Sequence, residues 1–248
     1  MDVVILAGAP PLSGSAGTSR AMTVIGGKTM LQWEVDAMRQ ARTISRIYAV
    51  GDVSGDGLDE VIPPVGDFLS NLVAGVSHAA EHGARTVLIA TSDIPLITAN
   101  GIDDFVTRAM EVAADFCYPI APKAECVRAY PQMRRTYLKV REGVFTGGNM
   151  ALVSADFVMR NRDVIFRAYE SRKSVFKLAG MVGWEVLARV LAAQLVWPAA
   201  VGIPTLESAV SRLLNGKLRA IVTSDVEIGE DVDKPEDVAA MEEILAAR

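Results

Sequence analysis

The chain reads as an α/β protein, a Rossmann-like three-layer sandwich with a mostly parallel mixed sheet. Three observations carry this reading. Short apolar runs alternate with segments of helical period, the pattern of β-α-β units with helices on both faces of a sheet. The first run, Val3 to Ala7, begins almost at residue one, and Gly8 ends it. A central run, Thr86 to Thr91, passes into Ser92-Asp93-Ile94-Pro95. That places the Asp93 carboxylate at the carboxyl end of a buried strand, where open parallel sheets bind ligands. Pro95 removes a backbone donor and biases Ile94 away from helix, so the carboxylate sits on a tight loop.

Composition narrows the function. The chain has 248 residues, 50% of them hydrophobic, and a formal net charge of -5. A single domain of 1–248 with a large core is expected. The acidic balance gives no reason to expect a nucleic-acid partner or an anionic membrane surface. No apolar run reaches the ~18 residues of a membrane span, and no secretory leader is read at the N-terminus. Cys117 and Cys126 lack metal spacing, and Cys117 lies in an apolar run. Reduced thiols and a cytoplasmic location are the expectation.

Each element follows from local pattern. Ala9 to Ser19, with two prolines and two glycines, is loop. After a first parallel strand such a loop can cradle phosphate, because backbone N–H groups approach oxygens closely. Arg20 follows it, and Gly26-Gly27-Lys28 reads as a turn returning a lysine toward the same strand end. Thr29 to Arg42 is an amphipathic helix capped by Thr29, with Leu31, Val35 and Met38 inward. Ile47 to Val50 is a strand, and Val61-Ile62 a short edge element. Asp67 to His82 is a helix capped by Asp67 or Ser70 and closed by Gly83. Its first turn carries Ser70 and Asn71, suited to a base or a phosphate. His78 and His82, with no third ligand type nearby in sequence, are expected to be surface or hydrogen-bonded histidines.

Thr98 to Ala114 is the next helix, and Phe116 to Ile120 the next strand. The pattern then changes. Lys123 to Arg141 holds Lys123, Arg128, Arg134, Arg135, Lys139 and Arg141, and is expected to be an extended basic lid or antiparallel arm facing an anion. Gly147-Gly148-Asn149 precedes an apolar strand and suggests close backbone approach by a ligand. A helix capped by Ser154 or Asp156 follows, then a basic link at Arg172 and Lys173, helices over Phe176 to Gln194 and Thr205 to Asn215, and a last strand over Arg219 to Thr223. A second acidic turn holds Asp231 and Asp233, and Pro235 starts the terminal helix.

Carboxylates from two strand ends can share a hard cation. Mg²⁺ takes oxygen ligands, usually one or two carboxylates plus substrate phosphates. Arg20 and Lys28 would offset a triphosphate. The chemistry these residues suit is phosphoryl or nucleotidyl transfer.

Taken in order, Val3-Val4-Ile5-Leu6-Ala7-Gly8, Gly26-Gly27-Lys28-Thr29-Met30-Leu31, Thr91-Ser92-Asp93-Ile94-Pro95-Leu96, Phe145-Thr146-Gly147-Gly148-Asn149 and Asp231-Val232-Asp233-Lys234-Pro235-Glu236-Asp237 resemble the MobA-like NTP transferase superfamily, which shares its sheet with GT-A glycosyltransferases. The resemblance spans nearly the whole chain. It implies a GT-A-type nucleotidyltransferase fold and an enzyme that joins an NMP unit to a small phosphorylated acceptor and releases pyrophosphate, with Mg²⁺ as cofactor. It implies that Asp93, with Asp231 or Asp233, holds the metal, and that Arg20 and Lys28 contact phosphates. Leu6, Ala7, Gly8, Asn71 and Ser92 would take the nucleotide. Arg135, Gly147, Gly148, Asn149 and Lys173 would face the acceptor. Ala9 stands where the family has a second glycine, and Pro10 and Pro11 lengthen the loop. A GT-A glycosyltransferase using a nucleotide sugar is the alternative enzyme, disfavoured by Asp-Ile-Pro in place of Asp-x-Asp. A nucleotide-binding regulator without chemistry is the alternative of another class. A homodimer is compatible with this reading.

Overall fold

The computed structural model describes residues 1–12, 19–171 and 180–247. Eleven strands occur in chain order among them: β1 (Asp2–Leu6), β2 (Val24–Ile25), β3 (Lys28–Thr29), β4 (Arg46–Val50), β5 (Glu60–Ile62), β6 (Thr86–Thr91), β7 (Phe116–Pro122), β8 (Leu138–Val140), β9 (Gly143–Gly147), β10 (Met150–Ser154) and β11 (Leu218–Val222). β2 and β3 form a separate hairpin, and the other nine join one sheet in the order β5-β4-β1-β6-β10-β7-β9-β8, with β11 beside β7. β5, β4, β1 and β6 are parallel neighbours, and β11 is parallel to β7. β10 is antiparallel to β6 and β7, and β9 to β7 and β8. Only β9 and β10 therefore run against the other strands of this sheet.

Helices cover both faces. They are α1 (Met30–Gln40), α2 (Phe68–Glu81), α3 (Ala99–Glu111), α4 (Lys123–Ala129), α5 (Ala155–Ser171), α6 (Trp184–Leu195), α7 (Ile203–Leu213) and α8 (Pro235–Ala246). Alternation along β1 assigns the layers, since successive strand residues point to opposite faces. Val3 and Ile5 join the core beneath α1 and α3, with Leu31, Met38, Ile102 and Phe105. Val4 and Leu6 join the core beneath α2 and α5, with Val76, Ala79, Phe157 and Val158. Cys117 and Cys126 are free and buried, and burial pushes the Cys117 thiol up to about 11. No helix of the described residues is long and apolar enough to cross a membrane.

The caps predicted at Thr29 and Asp67, and a further one at Thr98, set the helix starts. Thr29, Asp67 and Thr98 accept from the backbone N–H of Gln32, Ser70 and Gly101. Each such cap contributes about 1 kcal/mol. α2 is pressed against the sheet at Gly75, where a Cβ would lie 2.4 Å from Val4 Cγ1 and 2.9 Å from Val50 Cγ2.

Two expectations are corrected. The segment 123–141 is not extended throughout. It opens with α4, supported by an Arg128–Glu125 ion pair at i,i+3 and by buried Cys126, and ends in β8, paired with β9. Its cations are largely engaged within the chain. Lys123 lies 5.3 Å over the Tyr137 ring, and Lys139 Nζ donates to Gln194 O at 3.1 Å. The helix expected over Phe176 to Gln194 is interrupted at Gly183, whose φ of 101° lies outside the helical region, and α6 begins at Trp184. Arg172 and Lys173 lie outside the described residues.

Gly75→Val is expected to lower stability by about 1–3 kcal/mol, the usual cost of overpacking, as read by chemical denaturation. A second outcome concerns Asp103 on α3, which accepts from Thr43 N at 2.9 Å, Thr43 Oγ1 at 2.7 Å and Arg42 N at 3.1 Å. Burial would raise this carboxyl, but the Thr43 and Arg42 donors outweigh burial and hold it below the ordinary range. A depressed folded pKa stabilises the fold above the unfolded value of about 3.9, and that contribution is lost as pH falls through the folded value. Asp103→Ala should therefore cost about 1–3 kcal/mol at pH 7, and the gap from the parent should narrow below about pH 4.

Candidate functional site

The register of the sheet builds the site. Leu6 pairs with Thr91 across β1 and β6, so both chains leave the sheet at one edge. Ala7 N donates to Val50 O at 2.9 Å, and Ser19 Oγ donates to Ala7 O at 2.5 Å, fixing the exit of β1. Gly8 follows. A Cβ there would lie 2.6 Å from Asn71 Nδ2, so the predicted residues of β1 and α2 do meet. Asn71 is itself buried, and its Oδ1 accepts from Val65 N at 2.9 Å. Residues 13–18 of the expected phosphate loop lie outside the described residues.

At the exit of β6, Ser92 is buried and Asp93 turns inward. Thr91 Oγ1 donates to Asp93 Oδ1 at 2.6 Å, and Arg20 Nη1 lies 3.6 Å from Asp93 Oδ2. The late acidic turn is fastened here by Val232 N, which donates to Asp93 O at 2.9 Å. Arg20 Nη1 also reaches Asp233 Oδ1 at 2.6 Å, so one guanidinium bridges two of the predicted metal carboxylates. Arg135 takes the other side. Its side chain, 7% exposed, sits 2.7 Å from Asp231 Oδ1 and 3.3 Å from Glu230 Oε2. Its guanidinium is thus committed to carboxylates of its own chain.

The carboxylates crowd one another. Burial pushes Asp93 above the ordinary range, against Thr91 and Arg20, and Asp233 adds to the rise. Burial raises Asp231 to about 6, with Arg135 opposing and Asp93 and Asp233 reinforcing. Glu230 rises to about 7 for the same first reason. The donors are all oxygens, the set a hard divalent cation takes.

The Gly147-Gly148-Asn149 turn borders Asp93. Asn149 O accepts from Thr91 N at 3.0 Å, Gly148 N donates to Pro119 O at 2.9 Å, and Asn149 N donates to Ile228 O at 2.9 Å. A Cβ on Gly147 would meet Tyr118 Oη at 2.4 Å, and one on Gly148 would meet Ile228 Cγ2 at 2.4 Å. These glycines allow the chain to pass from the β7–β9 pairing to the β10–β6 pairing. Asn149 Nδ2 is buried without a hydrogen-bond partner. Lys28 is not brought to this group. Its Nζ pairs with Asp36 at 2.6 Å and lies 4.7 Å over the Trp33 ring.

Sequence reasoning missed two members. Glu34 is fully buried on α1 and accepts from Ile94 N at 2.9 Å, bracing the turn that carries Asp93. Burial pushes its carboxyl well above the ordinary range. Its spacing from Leu31, one turn earlier on the apolar stripe, was a usable signal. Glu230 is the second, and only the Arg135 pairing reveals it.

Arg135→Ala is expected to lower stability by about 3–5 kcal/mol, because it leaves buried Glu230 and half-buried Asp231 without their cation. Thermal and denaturant unfolding of the variant check this, and Arg135→Lys should recover part of the loss.

Comparison with known proteins agrees with this architecture. A MobA-like NTP transferase domain matches residues 3–180. A hypothetical transferase from Thermus thermophilus is similar at 31% identity and a TM-score of 0.81, over 96% of this chain and 98% of that one. CMP:2-keto-3-deoxy-manno-octonic acid synthetase, solved with CTP, shares the fold at 11% identity and a TM-score of 0.61, over 99% of this chain and 98% of that one. So does 4-diphosphocytidyl-2C-methyl-D-erythritol synthase, at 16% identity and a TM-score of 0.59, over 98% of each chain. Among curated proteins no match is found. With the family domain covering most of the chain and the predicted strand-end residues gathered at one sheet edge, the protein belongs to the MobA-like NTP transferase family of nucleotidyltransferases.

Proposed function

We propose that the protein, acting as one domain over 1–248, is a Mg²⁺-dependent nucleotidyltransferase that joins the NMP unit of an NTP to a small phosphorylated acceptor. The observation that carries the reading is the meeting of Asp93 and Asp233 with Arg20 at the end of β6, with Asp231 beside them, in a chain of this family. Asp93 with Asp231 or Asp233 would hold the metal. The oxygen-only donor set fits Mg²⁺, and burial, reinforced by neighbouring carboxylates, raises Asp93 and Asp231 and so marks a place where positive charge is favourable. A bound Mg²⁺ supplies charge to offset the triphosphate and the departing pyrophosphate.

The chain's own residues do the rest. The β1 exit from Leu6 to Gly8, with Asn71 and Ser92, positions the nucleotide. Arg20 exchanges carboxylate partners for phosphate oxygens when the NTP arrives. Gly147, Gly148 and Asn149 border the acceptor side, where the Asn149 amide has an unused donor. An acceptor phosphate oxygen attacks the α-phosphorus. The bond from that phosphorus to the bridging oxygen of the β-phosphate breaks, and pyrophosphate leaves with the electron pair. An anionic phosphate nucleophile requires no general base. Arg135 acts as a positioning residue for Asp231, with acceptor contact left to Lys173 and the glycine turn. Lys28, to reach a phosphate, would first have to leave Asp36.

The test is pyrophosphate release with each NTP, Mg²⁺ and a panel of sugar and alditol phosphates. Turnover should need Mg²⁺ and stop on chelation. Asp93→Asn should lower it by roughly a hundredfold or more, a loss of several kcal/mol of transition-state stabilisation, with unchanged circular dichroism. Full activity of Asp93→Asn in Mg²⁺ would falsify the metal assignment.

A further inference from the structure

The chain contains two histidines, His78 and His82, and the fold supplies the third ligand that their sequence neighbourhood lacks. Both lie at the end of α2, four residues apart and so on one helix face. β5 brings Glu60 alongside, with His78 Nε2 3.0 Å from Glu60 Oε2. The two imidazole centroids are 4.4 Å apart. One ligand atom from each of the three side chains lies within 4.8 Å of the others, and among the described residues this is the one such group.

The hydrogen bonding prepares the rings for a cation. His82 Nδ1 lies 2.9 Å from His78 O. A carbonyl only accepts, so Nδ1 carries a proton, and in the neutral ring Nε2 then keeps its lone pair. That arrangement fixes ring and tautomer in metal-binding histidines. At His78 Nε2 faces the Glu60 carboxylate, and a metal ion can take the place between the same two atoms when the ring's single proton sits on Nδ1, any Nε2 proton passing to solvent. Tyr48 forms the floor. It pairs in register with Glu60 across β4 and β5, and its ring stands edge-on to His78 at 5.0 Å.

We propose that Glu60, His78 and His82 form a binding site for a borderline divalent transition-metal ion of the Zn²⁺ class, separate from the hard-oxygen group around Asp93. Two imidazoles and a carboxylate suit Zn²⁺ rather than Mg²⁺, and three protein ligands leave a fourth position for water. Zn–N and Zn–O lengths of about 2.0–2.2 Å require the ligand atoms to close by on the order of 1 Å. Rotation of side chains that are 20% and 49% exposed at His78 and Glu60 accommodates this. The ion would tie the edge strand β5 to α2, the helix whose first turn sets Asn71 against Gly8.

Since no other histidines exist in the chain, imidazole C–H resonances report on this site alone. The full chain is held in excess Mg²⁺ and titrated with Zn²⁺. Both histidine signals should move together, saturate at one equivalent with micromolar or tighter affinity, and be accompanied by a rise in Tm. Glu60→Gln should weaken binding at least tenfold, and His82→Ala should abolish the concerted shift. Asp93→Asn should leave it unchanged. Independent movement of the two histidines, saturation only at millimolar Zn²⁺, or parental affinity in Glu60→Gln would each overturn the proposal and leave only a His78–Glu60 ion pair.

Discussion

Four carboxylates, of Asp93, Glu230, Asp231 and Asp233, face two guanidinium groups, and the site is arranged around that imbalance. Arg20 spans Asp93 and Asp233, and Arg135 spans Glu230 and Asp231. Neither arginine is fully satisfied, since both Nε atoms are buried without a hydrogen-bond partner, as are both Glu230 oxygens. Burial first, and then the like charges beside them, raise the proton affinity of Asp93 and Asp231. An arrangement short of positive charge is poised to accept a cation, and its arginines are poised to turn toward an anion.

The crowding is tolerable because the backbone around it is pinned. Val232 N and Thr91 Oγ1 donate to Asp93, Ile94 N donates to Glu34, and Asn149 O receives Thr91 N. These bonds come from four separate parts of the chain. They hold the Asp93 turn against repulsion that would otherwise push it apart. Glu34 contributes as a buried acceptor, its carboxyl pushed well above the ordinary range by burial, and braces the turn through Ile94 N.

Features that depend on local pattern were legible in the sequence. The apolar runs of β1 and β6, the caps at Thr29 and Asp67, and the position of Asp93 at a strand end all follow from periodicity and turn chemistry within a few residues. What sequence could not show depends on distant pairing. Arg135 sits in a run of cations and looks free, yet Glu230 and Asp231 claim it from the far end of the chain. Lys28 follows a glycine turn as expected, but Asp36, on the next helix, takes its ammonium. Glu60 lies well before the two histidines in sequence, and only the pairing of β5 with β4 carries it to them. The helical start of the basic segment was visible as Glu125 and Arg128 at i,i+3, outweighed by the count of cations around it.

The hydrogen bond from Val232 to Asp93 also has a consequence for how the protein is made. It joins positions more than half the chain apart, and β11, which pairs with β7, likewise comes late in the sequence. A ribosome delivers the β1–β4–β6 half first, with the Asp93 turn exposed and its acidic partner loop still unsynthesised. Closing so long a loop is slow, because its entropy is spent before the contact is gained. The sheet can therefore start to assemble from the β1–β4–β6 half during translation, whereas the charged centre waits for the Asp231–Asp233 turn.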